Sequence, residues 1–235
     1  MGLNSRSILL AGATGLVGGL ALRRLLERPG FTGQIFAPTR RDPGISDPRL
    51  IAIRTDFAQA GGESVIVDAI SARQVDRLDV YVSCLGTTIG TAGSREAFVA
   101  VDRDLVLRLA QVAFERGARH AILVSSAGAS RQSGTFYLRV KGEIEDALEG
   151  IGFERLDIVQ PGLLLGERAE HRSGEVLARA LAPLFNRALL GKLRRYRAID
   201  ADCVARAIVR LLEFDAPGRF VHEHDSIREL AGGRK

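Results

Sequence analysis

Short apolar runs alternate along this chain with longer stretches of helical periodicity. Ile8 to Ala11 is an apolar run closed by a glycine, and Leu16, Val17, Leu20, Leu22, Leu25 and Leu26 follow at mostly helical spacing. Strand, tight turn and helix are the prediction. Gln34 to Pro38 and Leu50 to Arg54 predict two further strands, and Val65, Ile66, Ala69 and Ile70 give one apolar face to a helix over Glu63 to Ala72. Asp79 to Ser83, His120 to Ser125 and Phe153 to Gln160 read as buried strands of a parallel sheet. Ser94 caps a predicted helix running to about Arg116, with Gly117 as its stop, and another helix carries Tyr137 to Lys141. Near the C-terminus, Asp200 or Asp202 caps a helix bearing Val204, Ala207, Ile208, Leu211 and Leu212; Arg219 to His222 is a last strand, and Ser226 opens a short helix. The longest loops are expected near Asp42 to Pro48, Gly86 to Gly93 and Gly166 to Gly174. This alternation predicts an α/β fold with a doubly wound, mainly parallel sheet. One domain over residues 1–235 is expected, with about 162–200 as a small C-terminal lobe on the substrate side.

Candidate chemistry begins in the first turn. Gly12, Gly15 and Gly18 lie three apart between the first strand and its helix, where backbone without side chains lets a pyrophosphate approach the helix N-terminus. Gly12, Ala13, Thr14, Gly15, Leu16, Val17 and Gly18 therefore form the candidate phosphate cradle. After the second strand comes Thr39-Arg40-Arg41. Arginine there suits the 2′-phosphate of NADP, whereas an acid would suit the ribose hydroxyl of NAD. Asp42, one position late and followed by Pro43, reads as a loop cap. Asp56 and Phe57 close the third strand, where they could meet an adenine. Leu85, Gly86 and Thr87 leave the fourth strand beside the cofactor, and Cys84 is taken as a small buried residue rather than a nucleophile.

Composition adds mostly exclusions. The 235 residues are 46% hydrophobic, enough for a sizeable core. No eighteen-residue apolar run and no signal-peptide pattern occurs, so a soluble cytoplasmic protein is expected, with no membrane partner. Cys84 and Cys203 stand far apart without a Cys-x-x-Cys pattern. The net charge of +5 is spread among acids, and the cluster Arg194-Arg195-Tyr196-Arg197 reads as a solvated face, so no nucleic-acid partner is expected. His120 is read as structural. His222 and His224 are taken as surface residues and no metal site is expected.

Tyr137 and Lys141 stand four apart on a helix and so share one face. A nearby ammonium eases a phenol's loss of its proton, which lets a tyrosine give or take one near neutral pH. With only three lysines and three tyrosines in the chain, an accidental pair at this spacing is uncommon. A serine at the preceding strand end completes the set by hydrogen-bonding the substrate oxygen. Alignment of the strand end favours Ser126, with Ser125 as understudy.

Several motifs then carry a resemblance: Gly-Ala-Thr-Gly-Leu-Val-Gly from Gly12, Cys84 to Thr88, Phe98-Val-Ala-Val-Asp-Arg-Asp, Ser125-Ser126, Tyr137-Leu-Arg-Val-Lys-Gly-Glu, and Pro161-Gly-Leu-Leu-Leu-Gly-Glu-Arg. Together they resemble the atypical short-chain dehydrogenases/reductases, in the Tat-interacting-protein-like oxidoreductase branch, over nearly the whole chain. The resemblance implies a Rossmann fold, bound NADPH, and Tyr137 and Lys141 as the catalytic pair. Pro161 cannot donate to the sheet and ends the sixth strand, so the loop from it through Leu164 can fold over the nicotinamide; the resemblance implies that Arg172 reaches the cofactor phosphates. Where extended members place an asparagine on the fourth helix, this chain offers Asp102. The expected function is an NADP-dependent oxidoreductase moving a hydride between NADPH and a small carbonyl or alcohol. The alternatives are an NADPH-binding sensor with a protein partner, or an epimerase that retains its cofactor; a homodimer is a further expectation.

Overall fold

The computed structural model of the chain describes residues 5–55, 57, 62–166 and 189–232. Its strands are β1 (Ile8–Ala11), β2 (Ile35–Thr39), β3 (Leu50–Arg54), β4 (Val80–Ser83), β5 (His120–Val124), β6 (Arg155–Val159), the short β7 (Leu164–Leu165) and β8 (Ile199–Asp200), and β9 (Gly218–His222). Seven of them form one all-parallel sheet in the order β3-β2-β1-β4-β5-β6-β9, while β7 pairs with β8. The chain starts in the middle of the sheet, builds outward to β3, then returns past β1 to build the other half. Strand order therefore reverses between β1 and β4, the place where an open α/β sheet leaves a crevice beyond its carboxyl ends.

Alternation along the strands explains the two layers. Ile8, Leu10, Ile35, Val80, Val82, Ile122 and Val124 face one side, under α1 (Leu16–Glu27) and the later helix Ala201–Leu211. Leu9, Ala11, Phe36, Tyr81, Ala121, Leu123 and Ile158 face the other. That side is covered by α2 (Gly62–Ala72), α5 (Val106–Glu115) and α6 (Phe136–Ile151). Each fully buried Leu or Ile contributes about 1.5–3 kcal/mol, so both faces of the sheet are strongly held.

Between β4 and α5 the expected single helix is divided. The short α3 (Ile89–Ala92) occupies part of the expected loop, with Thr88 capping through its hydroxyl to the Thr91 amide. Then come α4 (Arg95–Val99), capped by Ser94, and a π-helical turn over Ala100–Leu105 that leads into α5. The apolar stripe runs on through this turn, so periodicity alone did not reveal it. Helix α7 (Ala201–Leu211) is capped by Asp200, whose carboxylate accepts from the Asp202 amide at 2.8 Å. The last helix, α8 (His224–Leu230), starts two residues before the expected Ser226.

The expected surface histidines need correcting. His224 is 3% exposed, and the half-buried His222 donates through Nε2 to Asp157 Oδ1, 2.7 Å away. Asp157 also meets His120 at 2.7 Å and the Arg155 guanidinium at 2.6 and 2.9 Å. One buried carboxylate thus ties together β5, β6 and β9, which gives His120 the structural role expected of it. Most of the anticipated lobe lies outside the described residues; its visible parts are β7, β8 and a 3-10 turn over Gly191–Tyr196.

Candidate active site

The strands, being parallel, all end at the carboxyl edge of the sheet. The exit of β1 is the glycine turn. Gly12 has φ +83° and lies so close to the β4 exit that a Cβ on it would sit 2.7 Å from the Cys84 carbonyl carbon. A Cβ on Gly18 would run into the Gly12 carbonyl oxygen, and the Gly15 amide donates to that same oxygen at 2.9 Å. Only glycine fits at positions 12 and 18. Among the described residues no side chain caps the start of α1, which leaves its first amides open to a ligand. Ala13 and Val17 are buried beneath the turn, Leu16 is half-buried, and Thr14 and Gly15 are exposed above it. These features fit a dinucleotide diphosphate.

At the β2 exit, the Thr39 hydroxyl donates to the Arg41 carbonyl at 2.6 Å and shapes a turn that leaves Arg40 and Arg41 exposed. Both arginines therefore share the edge that holds the glycine turn. Phe57 is half-buried against the second core layer, whereas Asp56 lies outside the described residues, as does Arg172. At the β4 exit, Leu85 and Thr87 are half-buried and Gly86 is exposed. Cys84 is only half-buried as a residue rather than fully enclosed, yet desolvation pushes its thiol up to about 12. A thiol so held is a poor nucleophile.

On α6, Tyr137, Lys141 and Glu145 form one stripe. The Tyr137 ring packs on Phe98 at 5.7 Å, and Lys141 Nζ stands 6.0 Å from the ring centroid. Lys141 is 2% exposed and ion-paired to the fully buried Asp102 at 2.8 Å. The other Asp102 oxygen accepts the Thr87 amide at 2.8 Å. The two serines part company here. Ser125 is buried and its hydroxyl donates to Glu145, whose carboxylate also accepts from Gln160 Nε2 at 2.9 and 3.0 Å. Burial pushes the Glu145 carboxyl up, against the hydrogen bonds from Ser125 and Gln160. Ser126 is half-buried, and among the described residues its hydroxyl makes no hydrogen bond. That geometry leaves Ser126 available to a substrate and Ser125 committed to the frame.

Pro161, at the β6 exit, is buried and its carbonyl accepts the Ala127 amide at 2.9 Å. From there Leu164, half-buried, leads to Gly166, which packs against the Leu16 side chain. This segment crosses the crevice edge from β6 to the start of α1. Tyr196 comes in from the other side, close enough that a Cβ on Gly128 would be 2.9 Å from its hydroxyl. Sequence reasoning placed Asp102 at the fourth-helix asparagine position without a partner, and left Glu145 unassigned. Their signal was present: each is an acid on an apolar helix face, Asp102 between Phe98 and Leu105, Glu145 beside Ile144 and Leu148.

No protein-family profile matches the chain. Curated relatives do. A protein named fmp52, mitochondrial, from Aspergillus clavatus is 35% identical over 215 residues, covering 90% of each chain. The HTATIP2 protein of Rattus norvegicus is 34% identical over 184 residues, covering 75% of this chain and 70% of that one. Among solved structures, a short chain dehydrogenase from Leptospira borgpetersenii with bound NAD+ superposes with a TM-score of 0.67 at 13% identity, covering 96% of this chain and 94% of the other. The fold is therefore that of the short-chain dehydrogenases/reductases, with the parallel Rossmann sheet expected. Within that class, the chain belongs to the atypical members of the HTATIP2 and FMP52 branch.

The cytoplasmic expectation is overturned by the same findings. Fungal relatives at 33–35% identity are named as mitochondrial proteins, not cytoplasmic ones. The physical reason for the error is plain. Composition and apolar run length do not distinguish one aqueous compartment from another. Among the described residues no helix is long and apolar enough to cross a membrane.

Proposed function

We propose that the protein is an NADP-dependent oxidoreductase, working in mitochondria, that interconverts a small carbonyl and its alcohol. The observation that carries this reading is convergence: glycine turn, paired arginines, Ser126 and the Tyr137–Lys141 pair all belong to the exits of β1, β2 and β5 or to the helix that follows, at one sheet edge. In this reading the amides of α1 hold the diphosphate and Arg40 and Arg41 take the 2′-phosphate. The nicotinamide, when bound, supplies or accepts the hydride. Lys141 holds the neighbouring ribose hydroxyls. Ser126 donates a hydrogen bond to the substrate oxygen, and Tyr137 gives that oxygen a proton during reduction or removes it during oxidation. Closure of the crevice by the Pro161–Gly166 segment keeps water from the reacting atoms.

Steady-state oxidation of NADPH with a panel of aldehydes and ketones tests the proposal. Net consumption of NADPH with at least one carbonyl is expected. Tight NADPH binding with no turnover on any substrate would make the protein a sensor, and product without net consumption would make it an epimerase.

A further inference from the structure

The lysine of the candidate pair is not a free cation. Lys141 Nζ and Asp102 Oδ1 are 2.8 Å apart, with side-chain exposures of 3% and 0%. Asp102 lies within the π-helical turn, whose extra residue per turn carries the carboxylate inward between the β4 exit and α6. Its second oxygen holds the Thr87 amide, and a Cβ on Gly86 would be 3.9 Å from Asp102 Oδ1 and 4.0 Å from Lys141 Nζ. Seen from Tyr137, a cation about 6.0 Å from the ring centroid is backed by an anion in direct contact with it. Two opposite charges so close largely cancel at that range.

Other ionisable groups packed around the pair are engaged elsewhere. Arg103 turns to Asp104 at 2.9 Å and Glu143 at 3.3 Å, and Arg95 lies over the Phe136 ring at 5.0 Å. Arg139 donates to the Ser133 carbonyl at 3.2 Å. Glu145, one turn along α6, is held by Ser125 and Gln160, with Arg219 at 3.9 Å. On the β4 exit, the Cys84 thiol stays neutral.

We propose that Asp102 is a positioning residue that carries the counter-charge of Lys141, so that Tyr137 faces a charge-compensated lysine and the β4 exit is pinned to the same carboxylate. The inference rests on the oxidoreductase reading for its meaning: with a carboxylate in contact, the ammonium pulls on the phenolic proton less than an unpaired lysine would. It also separates two roles usually joined in one ammonium. Lys141 keeps its place for binding ribose, while its pull on the phenolic proton is offset.

A measurement without substrate tests it. The chain has no tryptophan and three tyrosines, so ultraviolet absorbance reads phenol ionisation directly. Tyr81 is fully buried, desolvation drives its phenol far up, and its hydroxyl donates to the Val106 carbonyl. In a Tyr196→Phe background, Tyr137 is the phenol left to titrate. Asp102→Asn is expected to lower its ionisation midpoint by about one pH unit, tenfold in the equilibrium. The double change Asp102→Asn with Lys141→Met removes both charges and leaves neither buried alone. Its midpoint is expected within about 0.3 pH unit of the background. An unmoved midpoint in a folded Asp102→Asn protein, or an upward shift of a full unit in the double variant, overturns the proposal. Should the single variant not fold, the double variant decides. Because turnover is not read, a protein that never consumes NADPH would sink the redox reading and leave this result standing.

Discussion

Gly18 and Gly19 are adjacent in α1, and alanine at the two positions should have opposite effects. In an ordinary helix interior alanine is favoured over glycine by about 0.5–1 kcal/mol. At Gly19 the new Cβ would lie 3.4 Å from the Ala13 carbonyl oxygen, an ordinary contact, so Gly19→Ala should stabilise by up to that amount. At Gly18 it would overlap the Gly12 carbonyl oxygen, sit 2.8 Å from its carbon and 3.1 Å from Cys84 Cβ. Backbone on one side and a strand exit on the other leave little room to yield. Overpacking of this kind costs about 1–3 kcal/mol, which exceeds the propensity gain and reverses the sign. For a chain of this size each kcal/mol moves the midpoint by about 2–4 °C. Thermal and urea unfolding of both variants, with NADPH affinity by fluorescence, gives the comparison. A Gly18→Ala protein as stable as Gly19→Ala, binding NADPH as wild type does, would refute the argument that the close approach of α1 to the turn builds the phosphate cradle.

Four further outcomes follow from the same geometry. Replacing Arg40 and Arg41 by alanine should weaken NADPH at least about tenfold while NADH binding changes little, because charge-assisted bonds to the 2′-phosphate are lost; equal losses for both cofactors would refute the assignment. Asp157→Asn should cost about 3–5 kcal/mol in urea unfolding, since it strands Arg155 between Phe214 and Phe220 without its carboxylate. In acid the wild type should weaken in two stages. Burial holds His120 below its ordinary 6.5 despite Asp157, so the unfolded chain takes that proton first and stability drops as pH falls through about 6.5. Burial opposes ionisation of Asp157, but His120, His222 and Arg155 outweigh it and hold the carboxyl well below its ordinary 3.8; that contribution is full above 3.8 and is lost on further acidification. A urea midpoint flat between pH 7 and 5 would contradict the first stage. Finally, Cys84→Ala should keep its turnover, and the native Cys84 thiol should react with alkylating reagents far more slowly than in unfolded chain.

How much of this was legible in the sequence varies with the range of the interaction. Strands β1, β2, β4, β5 and β6 were readable because each is a short apolar run, and the β1 turn because its glycines stand at the positions that backbone contact demands. Tyr137 and Lys141 were readable because helical spacing is local. The π-helical turn was not, since its apolar stripe continues through Phe98, Leu105 and Leu109. Nor was the pairing of Asp102 with Lys141, which depends on how two helices and a strand exit pack. The same holds for His120, Asp157 and His222, contributed by three strands, and it explains why His222 and His224 looked like surface. Ser125 and Ser126 could be told apart only once Glu145 was seen to take the first hydroxyl.

The central claim is tested most directly by comparing wild type with Tyr137→Phe, reading kcat for NADPH-dependent carbonyl reduction alongside NADPH affinity. A loss of about 10²–10⁴-fold in kcat with affinity unchanged is the predicted result, the range ascribed to a positioned proton donor. Undiminished turnover without the phenolic hydroxyl would contradict the account.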